Sequence, residues 1–362
     1  MIIVLSIIFI FLILRFVVTL FNFISDPKLR RVNRLQTDLV SILIPARNEE
    51  NNIITLLKSI EQQEYTNYEV IVLDDDSTDR TFELCEQFAA NHPKFRVVKG
   101  RALPQGWLGK NFACHQLAKL ARGRFLLFLD ADEKVYDDLI NSAVHRIKAK
   151  NLALFSLFTN QEMLSLGEYC TVPLMHYLLL NLLPVRLIYI SKNPSFAAAS
   201  GQFMMFNADT YRQNQWHEVV KDRVVEDVEL MKYIKAAKYK GESLLANGLI
   251  TCRMYTNYTD AVKGFSKNFL APFNYSIIGF IFYLLFVIGG PLVIISTLNL
   301  PLIIFMCGLI ILSRMMISLS SGQNAIYNIL LHPIQMLTLL IIGINAIQTH
   351  LTRKTVWKGR NV

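Results

Sequence analysis

The chain has 362 residues, with 37 Lys and Arg against 28 Asp and Glu, a formal net charge of +9 and 52% hydrophobic residues. A mean hydropathy of +0.33 is too apolar for a simple soluble enzyme. The basic balance suits an anionic membrane surface; nucleic-acid binding is set aside, because no binding motif is present and the basic residues flank apolar segments.

Residues 2–24 are apolar except for a few polar positions and Arg15, long enough to span a bilayer. No basic residue precedes this stretch, no small-residue cleavage site is evident, and Lys28, Arg30, Arg31 and Arg34 follow it. That predicts a retained anchor with the next segment in the cytosol. Residues 39–45, LVSILIP, read as a buried strand, and the helix expected over 51–62 carries Ile53, Leu56, Leu57 and Ile60 on one stripe. A second strand, YEVIVL, ends in Asp74, Asp75 and Asp76, followed by Ser77, Thr78 and Asp79. A helix over 81–90, a strand over 95–98, a turn-rich loop LPQGWLGKN and a helix over 112–121 come next. The apolar run 125–129 then ends in FLDADE, residues 128–133. Strands and helices alternating in one direction predict an α/β fold with a doubly wound, mostly parallel sheet. Ligands of such sheets sit outside the carboxyl ends of the strands, where both acidic clusters fall.

Asp130 and Asp132, one residue apart, can converge where the chain turns off the sheet. Hard oxygen ligands of this kind suit Mg²⁺ or Mn²⁺ held against a diphosphate, neutralising charge on a departing nucleoside diphosphate. Asp-x-Asp alone also fits a solvated loop; two acidic clusters at one sheet edge favour a ligand site.

Residues 164–190 are apolar with Glu168, His176 and Arg186 interspersed, and Pro173 and Pro184 break them into pieces too short to span. They read as helices in the membrane interface, with an ordinary core helix pair as the alternative. Gly201 precedes a strand-like run, and Glu226 and Asp227 open a helix, VEDVELMKYIKAA. Arg253 and Tyr255, then Lys263 and Lys267 one turn apart with Phe265 and Phe269 nearby, read as an interfacial helix gripping headgroups or diphosphate. Residues 269–313 carry no charge and accommodate two spans with a turn at 296–301; residues 330–347 form a further apolar run before Arg353 and Lys354. Four full spans from an external N-terminus leave the basic tail outside, against the positive-inside rule. An internal tail is therefore expected, with one apolar segment re-entrant or interfacial, and Trp357 is read as an interfacial anchor. Cysteines 85, 114, 170, 252 and 307 are scattered and odd in number, and read as reduced thiols. The organisation is thus an anchor (1–24), a cytosolic domain (35–265) with an interfacial segment (164–190), membrane or re-entrant helices (269–350) and a basic tail (351–362). Nothing in the sequence bears on the oligomeric state.

ILIPARNEE, VLDDDSTDRT, GWLGKNFACHQLA, FLDADE and VVEDVEL, in that order over about residues 39–235, resemble a family 2 glycosyltransferase. CRMYTNYTDAVKGFSKNF and VWKGR resemble its membrane-bound branch that glycosylates carotenoids and related lipids. The resemblance implies a GT-A type fold, a UDP-sugar donor, a membrane and a lipid acceptor. By the same match Pro45, Ala46, Arg47 and Glu49 line the nucleotide, and Asp74 or Asp75 accepts from a base N–H. Lys110 lies near the diphosphate, and Asp130 and Asp132 serve donor and metal. Gly201 allows a backbone approach to a sugar, Arg253 belongs to the gripping segment, and Asp227, beside Glu226, is the general base. Read without the match, the acids after the second strand and the Glu226–Asp227 pair also suit helix N-termini, Lys110 a surface site and Gly201 a plain turn. One base suffices for inversion. The Gln-x-x-Arg-Trp signature of processive synthases is absent, so a single sugar, glucose, is expected. Asp76 departs from the family's usual glycine and puts the local turn in question. A base suits a hydroxylated acceptor more than a carboxylated one, which arrives ionised. A polyprenyl phosphate, glycerolipid or sphingolipid acceptor stays open, as does a non-catalytic scaffold, although the latter is expected to have lost the Asp-x-Asp or the base acid.

Overall fold

The computed structural model describes residues 1–352 together with the backbone of residues 356–357 and 360–361. Expectations for Arg353, Lys354 and the side chain of Trp357 lie outside the described residues.

Strands β1 (Val40–Ala46), β2 (Tyr68–Asp74), β3 (Phe95–Lys99), β4 (Phe125–Leu129), β5 (Glu133–Val135), β6 (Leu154–Phe158), β7 (Asn160–Gln161), β8 (Phe203–Asn207), β9 (Gly241–Leu245) and β10 (Ile250–Cys252) form two sheets. The larger has seven strands in the order β3-β2-β1-β4-β8-β6-β9; the smaller has the order β5-β10-β7. β1 pairs in parallel with β2 and β4, and β6 with β9, whereas β8 runs antiparallel to both of its neighbours. Side chains alternate across β1, so Ile42 and Ile44 enter one core with Leu56, Leu57 and Ile60, while Leu43 enters the other with Leu117.

The parallel strands bring the ends of β1, β2, β4 and β6 to one edge. The reversed β8 adds something the expected pattern lacks. Leu129 faces Phe203, so the residues just before β8 meet the residues just after β4 at that same edge. Ser156 locks this junction, its hydroxyl accepting from the Ser200 amide (2.8 Å) and donating to the Ser200 carbonyl (3.1 Å).

Among the described residues, four helices are long and apolar enough to cross a membrane: Ile2–Ser25, Ile277–Ser296, Leu300–Ser321 and His332–Thr352. The first leads directly into the sheet. The Leu245 amide, at the end of β9, donates to the Pro27 carbonyl (2.8 Å), and the Leu29 amide to the Leu245 carbonyl (2.9 Å). The carboxyl edge of the sheet therefore lies beside the end of the membrane helix. Residues 164–190 form short helices split at the prolines, Leu166–Thr171, Pro173–Leu182 and Leu187–Ile190. Asn22 fastens them to the first helix: its Nδ2 donates to the Leu180 and Leu183 carbonyls (2.9 and 2.8 Å), and its Oδ1 accepts from the Val185 amide (2.8 Å). One apolar core runs unbroken from Leu43 in the sheet through Leu178, Phe265 and Phe280 to Leu339 and Ile342.

The last helix follows a different course from the other three. Near its start, Gln335 donates to the Tyr169 carbonyl (2.8 Å), and Thr338 meets the Tyr258 hydroxyl (3.3 Å). Gly343 packs against Phe280 and Leu284, and His350 stacks on Tyr275 (5.8 Å between centroids). Both of its ends thus touch residues on the sheet side of the membrane helices.

Candidate active site

A cavity of about 1010 Å³ opens at the carboxyl edge of the sheet. Its polar end is built from strand ends. Pro45 and Ala46 end β1 and Arg47 and Glu49 follow it, Asp75 follows β2, and Asp130 and Asp132 follow β4. Helix Gly109–Leu120 starts three residues earlier than its sequence suggests, which places Lys110 in its first turn, also in the wall. Gly201 and Gln202 arrive ahead of β8, and Glu226 and Asp227 from the first turn of helix Glu226–Ala236.

Lys110 ties this end together. Its Nζ pairs with Asp130 (2.7 Å) and Glu226 (3.3 Å), and these carboxylates hold its pKa well above the ordinary lysine value despite burial. The Gly201 amide donates to Asp227 Oδ2 (2.9 Å) and the Val228 amide to Oδ1 (2.7 Å), which fixes the carboxylate plane. A side chain at Gly201 would bring its Cβ to 3.1 Å from Lys110 Nζ and 3.2 Å from Glu226 Oε1, close enough that both would have to shift to admit it. Desolvation in the cavity wall, with Glu226 adjacent, pushes the Asp227 pKa up to about 7.

Two expected site residues stand elsewhere. Asp74 is buried and does not line the cavity, its Oδ2 accepting from the Ser77 amide (3.4 Å). Arg253 is not in the cavity wall: it pairs with Glu168 Oε1 (2.7 Å), whose carboxylate is fully buried. Glu168 also closes a capping box with Ser165 at the start of helix Leu166–Thr171. Asp76, where the family usually has glycine, has φ 60°, so the turn is kept and an aspartate is held in the left-handed region.

Trp107 and Arg223 also line the cavity and were not foreseen. For Trp107 the signal was available: an aromatic residue inside a glycine-rich loop that opens a helix. Behind Asp132, the Cys252 thiol donates to its Oδ2 (3.6 Å), and both oxygens of the buried Glu133 lack a hydrogen-bond partner. Ligand atoms of Asp132, Glu133 and Cys252 all lie within 4.8 Å of one another. With Asp130 beside them, the carboxylate oxygens fit a hard divalent cation.

The other end of the cavity is apolar. Met175, Leu178, Leu179, Leu182 and Leu183 form one wall, and Phe265, Phe269 and Pro272 the facing one. Tyr255 and Lys267, from the expected gripping segment, stand in the wall as well.

The sequence profile of glycosyl transferase family 2 matches residues 41–214. The chain is 28% identical over 243 residues to a 4,4'-diaponeurosporenoate glycosyltransferase of Staphylococcus haemolyticus, a match spanning 64% of this chain and 61% of that protein. It is 38% identical over 103 residues to a beta-monoglucosyldiacylglycerol synthase of Nostoc sp., covering 28% of this chain and 22% of that one. Among solved structures, a mannosyltransferase from Pyrobaculum calidifontis, in complex with GDP-Man and Mn²⁺, shares the fold with a TM-score of 0.56 and 16% identity. That likeness covers 97% of this chain and 100% of that one.

Proposed function

From the premise that this chain carries a family 2 glycosyltransferase domain of GT-A fold, we propose that it transfers one sugar, glucose, from a UDP-sugar to a membrane lipid, with inversion. The observation that carries this reading is the two-ended cavity: carboxylates and Lys110 at the sheet edge, and leucines and phenylalanines toward the membrane helices. A nucleotide sugar suits the first end, and a lipid tail the second. The acceptor is a carotenoid or related terpenoid, the lipid class named for the staphylococcal relative. The Nostoc relative's name makes a glycerolipid the second reading.

Residues after β1 and β2 hold the nucleoside, with Asp75 offering an acceptor to a base N–H. Asp130 and Asp132 would hold a Mg²⁺ or Mn²⁺ ion, which when bound supplies charge neutralisation at the diphosphate. Lys110 adds a fixed positive charge on the same side. Asp227 takes the proton of the acceptor hydroxyl as that oxygen bonds to the anomeric carbon. The bond from that carbon to the diphosphate breaks, and UDP leaves with the electron pair. Because attack and departure occur on opposite faces, configuration inverts.

The test uses the full chain in membranes with radiolabelled UDP-glucose and three acceptors: a hydroxylated carotenoid, diacylglycerol and a polyprenyl phosphate. Labelled carotenoid is expected, and Asp132→Ala should abolish it while the protein stays folded. Label in another lipid alone would redirect the acceptor. Full activity of Asp132→Ala in the presence of chelator would remove the metal from the mechanism.

A further inference from the structure

A second polar cluster lies away from the cavity, on the opposite face of helix Pro173–Leu182. Arg15, from the first membrane helix, and Arg314, from helix Leu300–Ser321, both stack on the Tyr177 ring, with guanidinium carbons 5.1 and 3.9 Å from its centroid. Arg15 also lies 5.6 Å from the Tyr283 ring. Its Nε donates to Asn181 Oδ1 (3.3 Å), and Arg314 Nε donates to His332 Nδ1 (2.9 Å). Neither arginine forms an ion pair with a carboxylate among the described residues.

Arg314 is 1% exposed and one of its terminal nitrogens has no partner. The Tyr283 and Asn181 side chains, 4% and 2% exposed, are buried beside them and interact with each other. Two cations share one ring. Water can satisfy a donor but cannot balance a charge in a low-dielectric setting; an anion does both. A narrow cleft of about 20 Å³, lined by Leu12, Arg15, Tyr177, Asn181 and Ser313 among others, reaches the cluster. It has room for about one oxygen atom. At 1.5 Å per residue, Arg15 and Arg314 stand roughly 15 and 10 Å from the sheet-side ends of their helices, at similar depth.

We propose that this cluster binds the phosphate of an anionic phospholipid in the sheet-side leaflet. One phosphate oxygen enters the cleft beside the Arg15 guanidinium and Asn181, with Arg314 on the same Tyr177 ring, and the acyl chains lie along the exposed Ile311 and Leu312. The site is independent of the sugar-transfer reading, since none of its donors lines the large cavity.

The experiment compares thermal unfolding of the full chain in nanodiscs of phosphatidylcholine alone and of phosphatidylcholine with phosphatidylglycerol. A rise of about 2–4 °C or more with phosphatidylglycerol is expected for the wild type. Arg15→Gln and Arg314→Gln should lose it, and Arg30→Gln, on the exposed surface, should keep it. Because the arginine variants can fail to fold, Ser313→Phe, which keeps both charges and fills the cleft, decides the matter by losing the shift. A wild-type midpoint equal in both lipids, or a shift retained by Ser313→Phe, overturns the proposal. An equal rise with inorganic phosphate in phosphatidylcholine discs would assign the site to free phosphate instead of a lipid, and would overturn it too.

Discussion

At the scale of single residues, Asp227 carries the most specific expectation. A base with a pKa pushed up to about 7 is half ionised near neutrality, so kcat/KM on a hydroxylated lipid should rise as pH passes through about 7 and then level off. Asp227→Asn should cost on the order of 10²–10⁴ in turnover on that acceptor and far less on a carboxylated one, at saturating donor. Equal, severe losses on both would make the acid a site organiser rather than a base. Stability gives an independent check. The folded-state pKa lies above the unfolded one, so the protonated form favours folding, and that contribution fades as pH rises from about 4 through 7. Asp227→Asn should therefore gain thermal stability over wild type at pH 8 relative to pH 5. Gly201→Ala makes the complementary case: the added methyl displaces Lys110 and Glu226, so activity should drop about tenfold or more while the unfolding midpoint moves little. Asp130 and Asp132 were legible because an uncharged run stops abruptly at acids, whereas Asp227, Gly201 and Lys110 were read from the ordered motifs of the resembled family. The Gly201 amide on Asp227 was not, since it depends on β8 running backwards, which hydrophobic pattern leaves open.

At the scale of elements, Arg253 shows how a contact over a long sequence separation overrides a local reading. Periodicity placed it beside an amphipathic helix, but its partner Glu168 lies 85 residues earlier and has no exposed surface. Glu168 already accepts from the Leu164 and Ser165 amides, and its carboxyl pKa is held below the ordinary value by those bonds and by Arg253, despite burial. Arg253→Gln should lower stability by about 1–3 kcal/mol, discounted because the arginine is partly exposed, and should leave UDP affinity unchanged. Chemical unfolding and titration calorimetry separate the two; a loss of UDP affinity with unchanged stability would return Arg253 to the donor site. The proline-broken helices at 164–190 were legible as pieces. Their attachment was not, because it rests on isolated polar residues, Arg15 and Asn22 in the first helix and Arg186 bonded to that helix's end at Ser25, whose partners lie about 160 residues away.

At the scale of the whole molecule, length and composition allow four crossings. The contacts of helix His332–Thr352 favour three, with the last helix lying along the interface, since Gln335 and His350 both meet sheet-side partners. With the basic cluster after the first helix in the cytosol, the tail is then cytosolic too. In sealed, right-side-out vesicles, protease should leave residues 35–265 intact and a C-terminal epitope hidden; exposure of that epitope without detergent would restore the fourth crossing. The sequence held this conflict as a charge imbalance, and an interfacial course for the last helix, which its contacts support, is the proposed way out.

The two hydrogen bonds between residues 27–29 and Leu245 have a consequence for reach. A membrane enzyme on a flexible tether samples many heights above the bilayer; here the sheet is bolted to its anchor without slack. The distance from the lipid surface to Asp227 is then a fixed gauge. On the proposed function, an acceptor would be selected partly by how far its reactive oxygen stands out of the membrane, and the rate would follow its mole fraction in the bilayer rather than its concentration in the surrounding volume.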